Sequence, residues 1–273
     1  HFASGTSGAI SLLTYAKRLF TAPMSMLAQA AAVASLPFFA SLWAKENRYG
    51  FATAVADSVT RVACMGILAS SAMIVLGEPL IDLLFVGGRF SRSDGRECMA
   101  YFAVFAVTLF LWSAQAIYSR AFYAAGNTFT PMAWGTIITV LSLPLYAGLY
   151  HAYGAIGLAV ASDVGIAMQT LTIAFLLHQR RMVSLASLDY GELGKCLVAG
   201  VAAGGLVWLV CDWLWGLLSR SMGMQVRAQG RWMDLAVLVV GTALWRAVSD
   251  RVLAMTGSAL PRVVRRRLGL AAG

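Results

Sequence analysis

Two adjacent cations, Lys17 and Arg18, lie inside Ala9–Leu27, a stretch with no other charge. A charged side chain at the centre of a bilayer costs about 2.5–3.5 kcal/mol on insertion scales, so such residues usually mark ion or substrate contacts or reach an interface. Neighbours on a helix point about 100° apart, so the two do not both meet lipid cheaply. Two placements are open. In one, the helix begins near Leu19 and both side chains snorkel to the outer headgroups. In the other, at least Arg18 faces a water-filled cavity and binds an anion there, a task suited to a planar guanidinium that pairs bidentately with phosphate. Asp163 lies about nine residues, or roughly 14 Å, into another apolar run. It reads as a proton carrier or a buried-arginine partner, unless the helix is shifted and Asp163 caps it at the interface. Asp57 and Arg61, four residues apart, share a helix face and read as a structural ion pair.

Little else in the chain could do chemistry. Cys64, Cys98, Cys196 and Cys211 fall in or beside apolar runs without a CxxC pair, the pattern of buried thiols rather than of disulfides or metal ligands. His1, His151 and His178 are scattered. No nucleophile elbow, HExxH, P-loop or paired glutamates are present, so no enzyme site, cofactor or metal is indicated.

The elements that must position these residues follow from composition. Of 273 residues, 59% are apolar and 12% are charged, whereas a soluble domain carries about 25% charge. That excludes a cytosolic enzyme, a disordered chain and a disulfide-stapled secreted domain. The expected class is an all-α polytopic membrane protein. Spans need about 20 apolar residues, and about seven are expected. Gly8–Ala44, with Pro23 and Pro37, reads as one long kinked or broken helix. Ala54–Gly77, Cys98–Ala125, Thr130–Tyr150 (with Pro131 in its first turn), Gly154–Leu177, Leu193–Leu218 and Trp232–Val248 follow. Gly200 and Gly204 have the spacing of close helix packing. Asp212 reads as interfacial, and Trp43, Trp213 and Trp215 as interfacial anchors.

With these spans, twelve basic residues fall on one side, among them Lys45, Arg48, Arg120, Arg180, Arg181, Lys195 and the cluster Arg262–Arg267. Six fall on the other: Arg89, Arg92, Arg96, Arg220, Arg227 and Arg231. The heavier side is expected in the cytoplasm, with the C-terminus inside and His1 outside. The terminal arginines then meet anionic lipid rather than nucleic acid. The chain opens on His1 without a leader pattern, as expected of a start made by truncation.

Four segments in order carry a family resemblance. Tyr15-Ala-Lys-Arg18-Leu19 with Pro23 resembles the "YA-x-RL-x-x-x-P" signature of the MurJ/MviN lipid II flippases, within the multidrug/oligosaccharidyl-lipid/polysaccharide exporter superfamily. Leu83–Ser91 with Asp94 is similar to the family's "LF-x-x-G-x-F" loop, Arg120–Pro131 to its "FYA…TP" turn, and Gly154–Ala161 to a glycine-rich helix start. The likeness thins beyond about residue 190.

The resemblance implies a fourteen-helix fold of two six-helix lobes plus two further helices. This chain then supplies the eighth to fourteenth helices: residues 1–190 as a C-terminal lobe lacking its first helix, and 191–273 as the two extra helices with a basic cytoplasmic tail. It implies a bacterial inner-membrane protein that flips lipid II, an undecaprenyl-diphosphate-linked disaccharide-pentapeptide, by alternating access through a cationic cavity shared with an N-terminal lobe. Arg18 falls on the signature arginine, which gives it a role in binding the diphosphate. Lys17 occupies a variable position and adds to the field. The last two helices would form a lipid-tail groove. Some members hold sodium through Asn or Asp on the helix matching Thr130–Tyr150, where this chain has neither. Asp163 lies outside the motifs. Another glycan or drug exporter of the superfamily, or a non-transporting membrane scaffold, are the alternatives.

Overall fold

The computed structural model describes residues 7–87, 90–222 and 231–261. Among them the chain is helical almost throughout, and its only strand-like pairing is a single bridge between Gly87 and Phe90. Six helices are long and apolar enough to cross a membrane, and one bent pair supplies a seventh span.

Helix α1 (Ser7–Met24) contains Pro23, which has no N–H for the helix ladder and presses on the preceding turn. The chain responds with a π turn at Ser25–Gln29, closed by the Ala30 N–H on the Ser25 carbonyl, and continues as α2 (Ala30–Ala44). The break expected in Gly8–Ala44 is therefore a widened turn inside one continuous helical span. A short turn leads to α3 (Arg48–Phe85), capped by the Asn47 side chain on the Gly50 N–H at 2.8 Å. At 38 residues it outruns the expected Ala54–Gly77 at both ends.

A capping box of Ser91 and Asp94 starts α4 (Arg92–Val107), which bends by 42° into α5 (Leu109–Ala124). Cys98–Ala125 was expected to be one unbroken span. No Pro or Gly lies at the bend; the contact made by its hinge residue, Thr108, is described below. Then follow α6 (Phe129–Tyr153), α7 (Ala155–Gln179), α8 (Tyr190–Met222) and α9 (Arg231–Met255).

Two core clusters mark the two ends of the bundle. At one, Phe39 of α2, Phe51 of α3, Phe122 of α5 and Leu177 of α7 pack together. At the other, Leu12, Ala16 and Phe20 of α1 meet Ile81 of α3, Phe105 of α4 and Ala159 of α7. Consecutive spans thus alternate in direction. The first end carries three cation–π contacts, Arg48 over Trp43 at 3.5 Å, Arg120 over Tyr123 at 5.4 Å and Arg180 over Phe122 at 5.6 Å.

Lipid tails are as apolar as leucine, so helices in a membrane associate by close packing, and glycines set the closest approaches. A Cβ on Gly157 would stand 2.0 Å from the Leu149 carbonyl oxygen, so α6 and α7 touch backbone to backbone there. Gly200 and Gly204 seat α8 on α3, against Ser71 and Val75. Parallel to this seam, the buried Glu192 carboxylate accepts from the backbone N–H groups of Ala259 (2.9 Å) and Leu260 (3.2 Å) and from the Ser258 hydroxyl. Lys195 balances it at 3.5 Å. This ties the segment after α9 to the start of α8, a contact the sequence reading missed.

Candidate functional site

Helix α1 packs through Leu12, Ala16 and Phe20, an i, i+4, i+8 face buried against α4 and α5. At about 100° per residue, Arg18 points about 160° away from Ala16, off the bundle, and it is exposed. Ser11, Thr14, Thr21 and Ser25 share that open face and are exposed as well. Thr14, Thr21 and Ser25 donate back to the carbonyls of Ile10, Lys17 and Ala22, so their oxygens line a polar stripe around Arg18 without disrupting the helix. The alternating spacing of three and four from Ser11 to Ser25 was legible in the sequence, and the sequence reading overlooked it.

Lys17 lies about 100° from Ala16 and turns sideways. It lines a recess of about 340 Å³ between α1, α5, α6 and α7, together with Trp112, Ser142, Tyr146, Ser162 and Gln169. Among the described residues, no carboxylate lies within 4 Å of Lys17 or Arg18. The two cations are therefore separated onto two faces, each without a counter-charge. The helix already runs from Ser7, ten residues before Lys17, so it does not start near Leu19.

Two of the sequence segments meet here. Tyr15 packs at a tilt against Phe85, the last residue of α3, with ring centroids 5.4 Å apart, and edge-on to Phe90 of the following turn at 6.0 Å. That cluster fixes the rotation of α1 and hence the directions of Lys17 and Arg18.

Asp163, on α7, has no cationic partner among the described residues; the Thr108 hydroxyl donates to its Oδ1 at 2.7 Å. Thr108 is the hinge residue between α4 and α5, and its hydroxyl also lies 3.2 Å from the Phe105 carbonyl. A carboxylate on one helix thus accepts a hydrogen bond from the hinge residue of a neighbouring span. Nearby, Thr170 of α7 reaches the Leu111 carbonyl at 3.3 Å. Asp57 Oδ2 and Arg61 Nη2 stand 3.6 Å apart, both largely exposed, on the rim of an apolar groove of about 840 Å³ formed by Leu27, Phe38, Tyr49, Met65 and Leu260.

The described residues contain no cluster of three or more His, Cys, Asp or Glu suited to a metal ion. The recess beside α6 holds an ammonium and neutral groups. These residues do not fit the sodium ion that the resemblance allows in some members. Arg89 and the terminal arginines lie outside the described residues, as do the side chains of Trp215 and Arg220.

The family model described as lipid II flippase MurJ matches residues 1–224. The chain belongs to the MurJ lipid II flippase family. A "Probable lipid II flippase MurJ" from Vibrio cholerae is 27% identical over 221 residues, covering 79% of this chain and 42% of the relative. One from Rhizobium meliloti is 25% identical over 271 residues, covering 97% and 49%. The chain thus spans under half the length of these MurJ relatives. A solved structure, "Lipid II flippase MurJ, inward closed conformation", superposes with a TM-score of 0.67 over 90% of this chain and 47% of that one, at 18% identity. It shows the shared all-helical, multi-pass fold.

Proposed function

We propose that this chain forms the C-terminal part of a flippase that carries lipid II across the bacterial inner membrane by alternating access. Residues 1–190 act as the lobe that rocks against an N-terminal lobe of the same protein, and 191–273 as two accessory helices with a basic cytoplasmic tail. The observation that carries this reading is Arg18: a guanidinium without a carboxylate partner on the unpacked, hydroxyl-lined face of α1. An ammonium or guanidinium left unneutralised in a membrane span is costly, so the open face is suited to an anion that arrives, is held and leaves. The diphosphate of a lipid-linked glycan has that chemistry, and bidentate pairing gives Arg18 an advantage over Lys. Membrane lipids and the N-terminal lobe are the remaining partners; no nucleic acid is involved. The cation-rich end at Lys45, Arg48, Arg120, Arg180 and Arg181 faces the cytoplasm, which puts the C-terminus inside.

Asp163 serves in this scheme as the carboxylate that sets the α4–α5 bend. Asp57 and Arg61 serve as a structural pair at the cytoplasmic end of α3. Growth rescue of a flippase-depleted bacterium by the full-length gene tests the reading. Arg18→Ala is expected to abolish rescue while the protein still accumulates in the membrane; full rescue by Arg18→Ala refutes it.

A further inference from the structure

Lys17 does not simply reinforce Arg18, because the recess it lines is a separate compartment. Five unpartnered donors line that recess from four helices: the Lys17 ammonium of α1, the Trp112 indole N–H of α5, the Tyr146 hydroxyl of α6, and the Ser162 hydroxyl and Gln169 amide of α7. None of them has a hydrogen-bond or ion-pair partner among the described residues, in contrast to Thr139 and Ser142, whose hydroxyls are engaged by carbonyls of their own helix. No carboxylate lines the recess. An ammonium among unpartnered neutral groups, with no carboxylate among the described residues of the lining, calls for an anion. The single positive charge sets the valence: a monoanion is neutralised, whereas a phosphate dianion would leave a net negative charge. At about 340 Å³ the recess admits a group of several heavy atoms.

The geometry points to a second substrate subsite, in which Lys17, Tyr146 and Gln169 bind a carboxylate, while Arg18 on the other face binds phosphate. This rests on the reading proposed above, under which the cargo carries a peptide stem whose carboxylates would enter the recess. A free carboxylate has the same chemistry, and the experiment separates the two sources.

The test uses the full-length protein in detergent, as wild type, Lys17→Met and Lys17→Arg, with unfolding temperatures measured to confirm that each variant folds. Affinity is measured for lipid II with free stem carboxylates, for lipid II with those carboxylates amidated, and for a short peptide as its free acid and its amide. Wild type is expected to prefer free-acid lipid II by about tenfold. Lys17→Met is expected to bind both forms equally, and Lys17→Arg to keep most of the preference. Tyr146→Phe and Gln169→Leu are expected to narrow it. If lipid II does not bind at all but the free-acid peptide binds in a Lys17-dependent way, the recess stands and the flippase reading falls. If lipid II binds and Lys17→Met keeps the wild-type preference, the carboxylate subsite is overturned and the flippase reading is untouched. If no carboxylate, free or lipid-linked, is discriminated by wild type, the subsite is likewise overturned.

Discussion

Replacing Thr108 with valine removes a hydroxyl at the α4–α5 hinge while keeping the shape of the side chain. The lost contact is the 2.7 Å hydrogen bond to Asp163 Oδ1, and the carboxylate has no other hydrogen-bond partner among the described residues. A hydrogen bond to a charged group contributes about 1.5–3 kcal/mol, whereas interhelical hydrogen bonds in membranes average about 0.6 and reach about 1.7 kcal/mol. The half-buried setting places Thr108→Val at a loss of about 1–2 kcal/mol. Asp163→Leu frees the hydroxyl, which retains the Phe105 carbonyl at 3.2 Å. The double variant therefore isolates the pair. Equilibrium unfolding in micelles of wild type, both single variants and the double variant gives the coupling energy, expected at about 1 kcal/mol or more. Asp163→Asn, which keeps an acceptor, is expected to retain most of the stability. If the single effects add within about 0.3–0.5 kcal/mol, the carboxylate does not hold the hinge and the cause of the 42° bend lies elsewhere.

Three further outcomes follow from the packing. Gly157→Val must push α6 off α7, because the Leu149 carbonyl occupies the space of its side chain; unfolding measurements should show a loss of about 2–3 kcal/mol, at the upper end for overpacking. Glu192→Ala leaves the Ser258–Leu260 donors and Lys195 without their carboxylate and should cost about 3–5 kcal/mol in the same assay, the range for breaking a buried charge pair. Tyr15→Ala removes the aromatic contacts to Phe85 and Phe90; substrate affinity should fall more than stability, because the rotation of α1 is loosened while its Leu12–Ala16–Phe20 face stays packed.

The spans were legible in the sequence because hydropathy records them directly: each expected apolar run falls within a helix or, for Cys98–Ala125, on a bent helix pair, with the largest end shifts in α3, α4 and α9. The rotation of α1 was also written in the spacing of Leu12, Ala16 and Phe20 opposite Ser11, Thr14 and Arg18. The four recognised segments have packing reasons. Tyr15 meets Phe85 and Phe90, Phe122 is buried under Arg180, and Gly157 admits the α6 backbone. The bend at Thr108 was not legible, because no Pro or Gly marks it and the partner of its hydroxyl is a carboxylate 55 residues away. Nor was the recess at Lys17, whose walls come from four helices distant in sequence. Glu192 was hidden for the same reason: its partners lie 66 to 68 residues further on.

The central claim is that Arg18 holds the anionic head of a transported lipid. Reconstituted full-length protein with fluorescent lipid II in vesicles tests it most directly. A charge-assisted guanidinium–phosphate contact contributes about 1.5–3 kcal/mol, so Arg18→Ala should lower lipid II affinity and flipping about 10- to 100-fold, with Arg18→Lys in between. Flipping by Arg18→Ala at the wild-type rate, with wild-type affinity, would contradict the account.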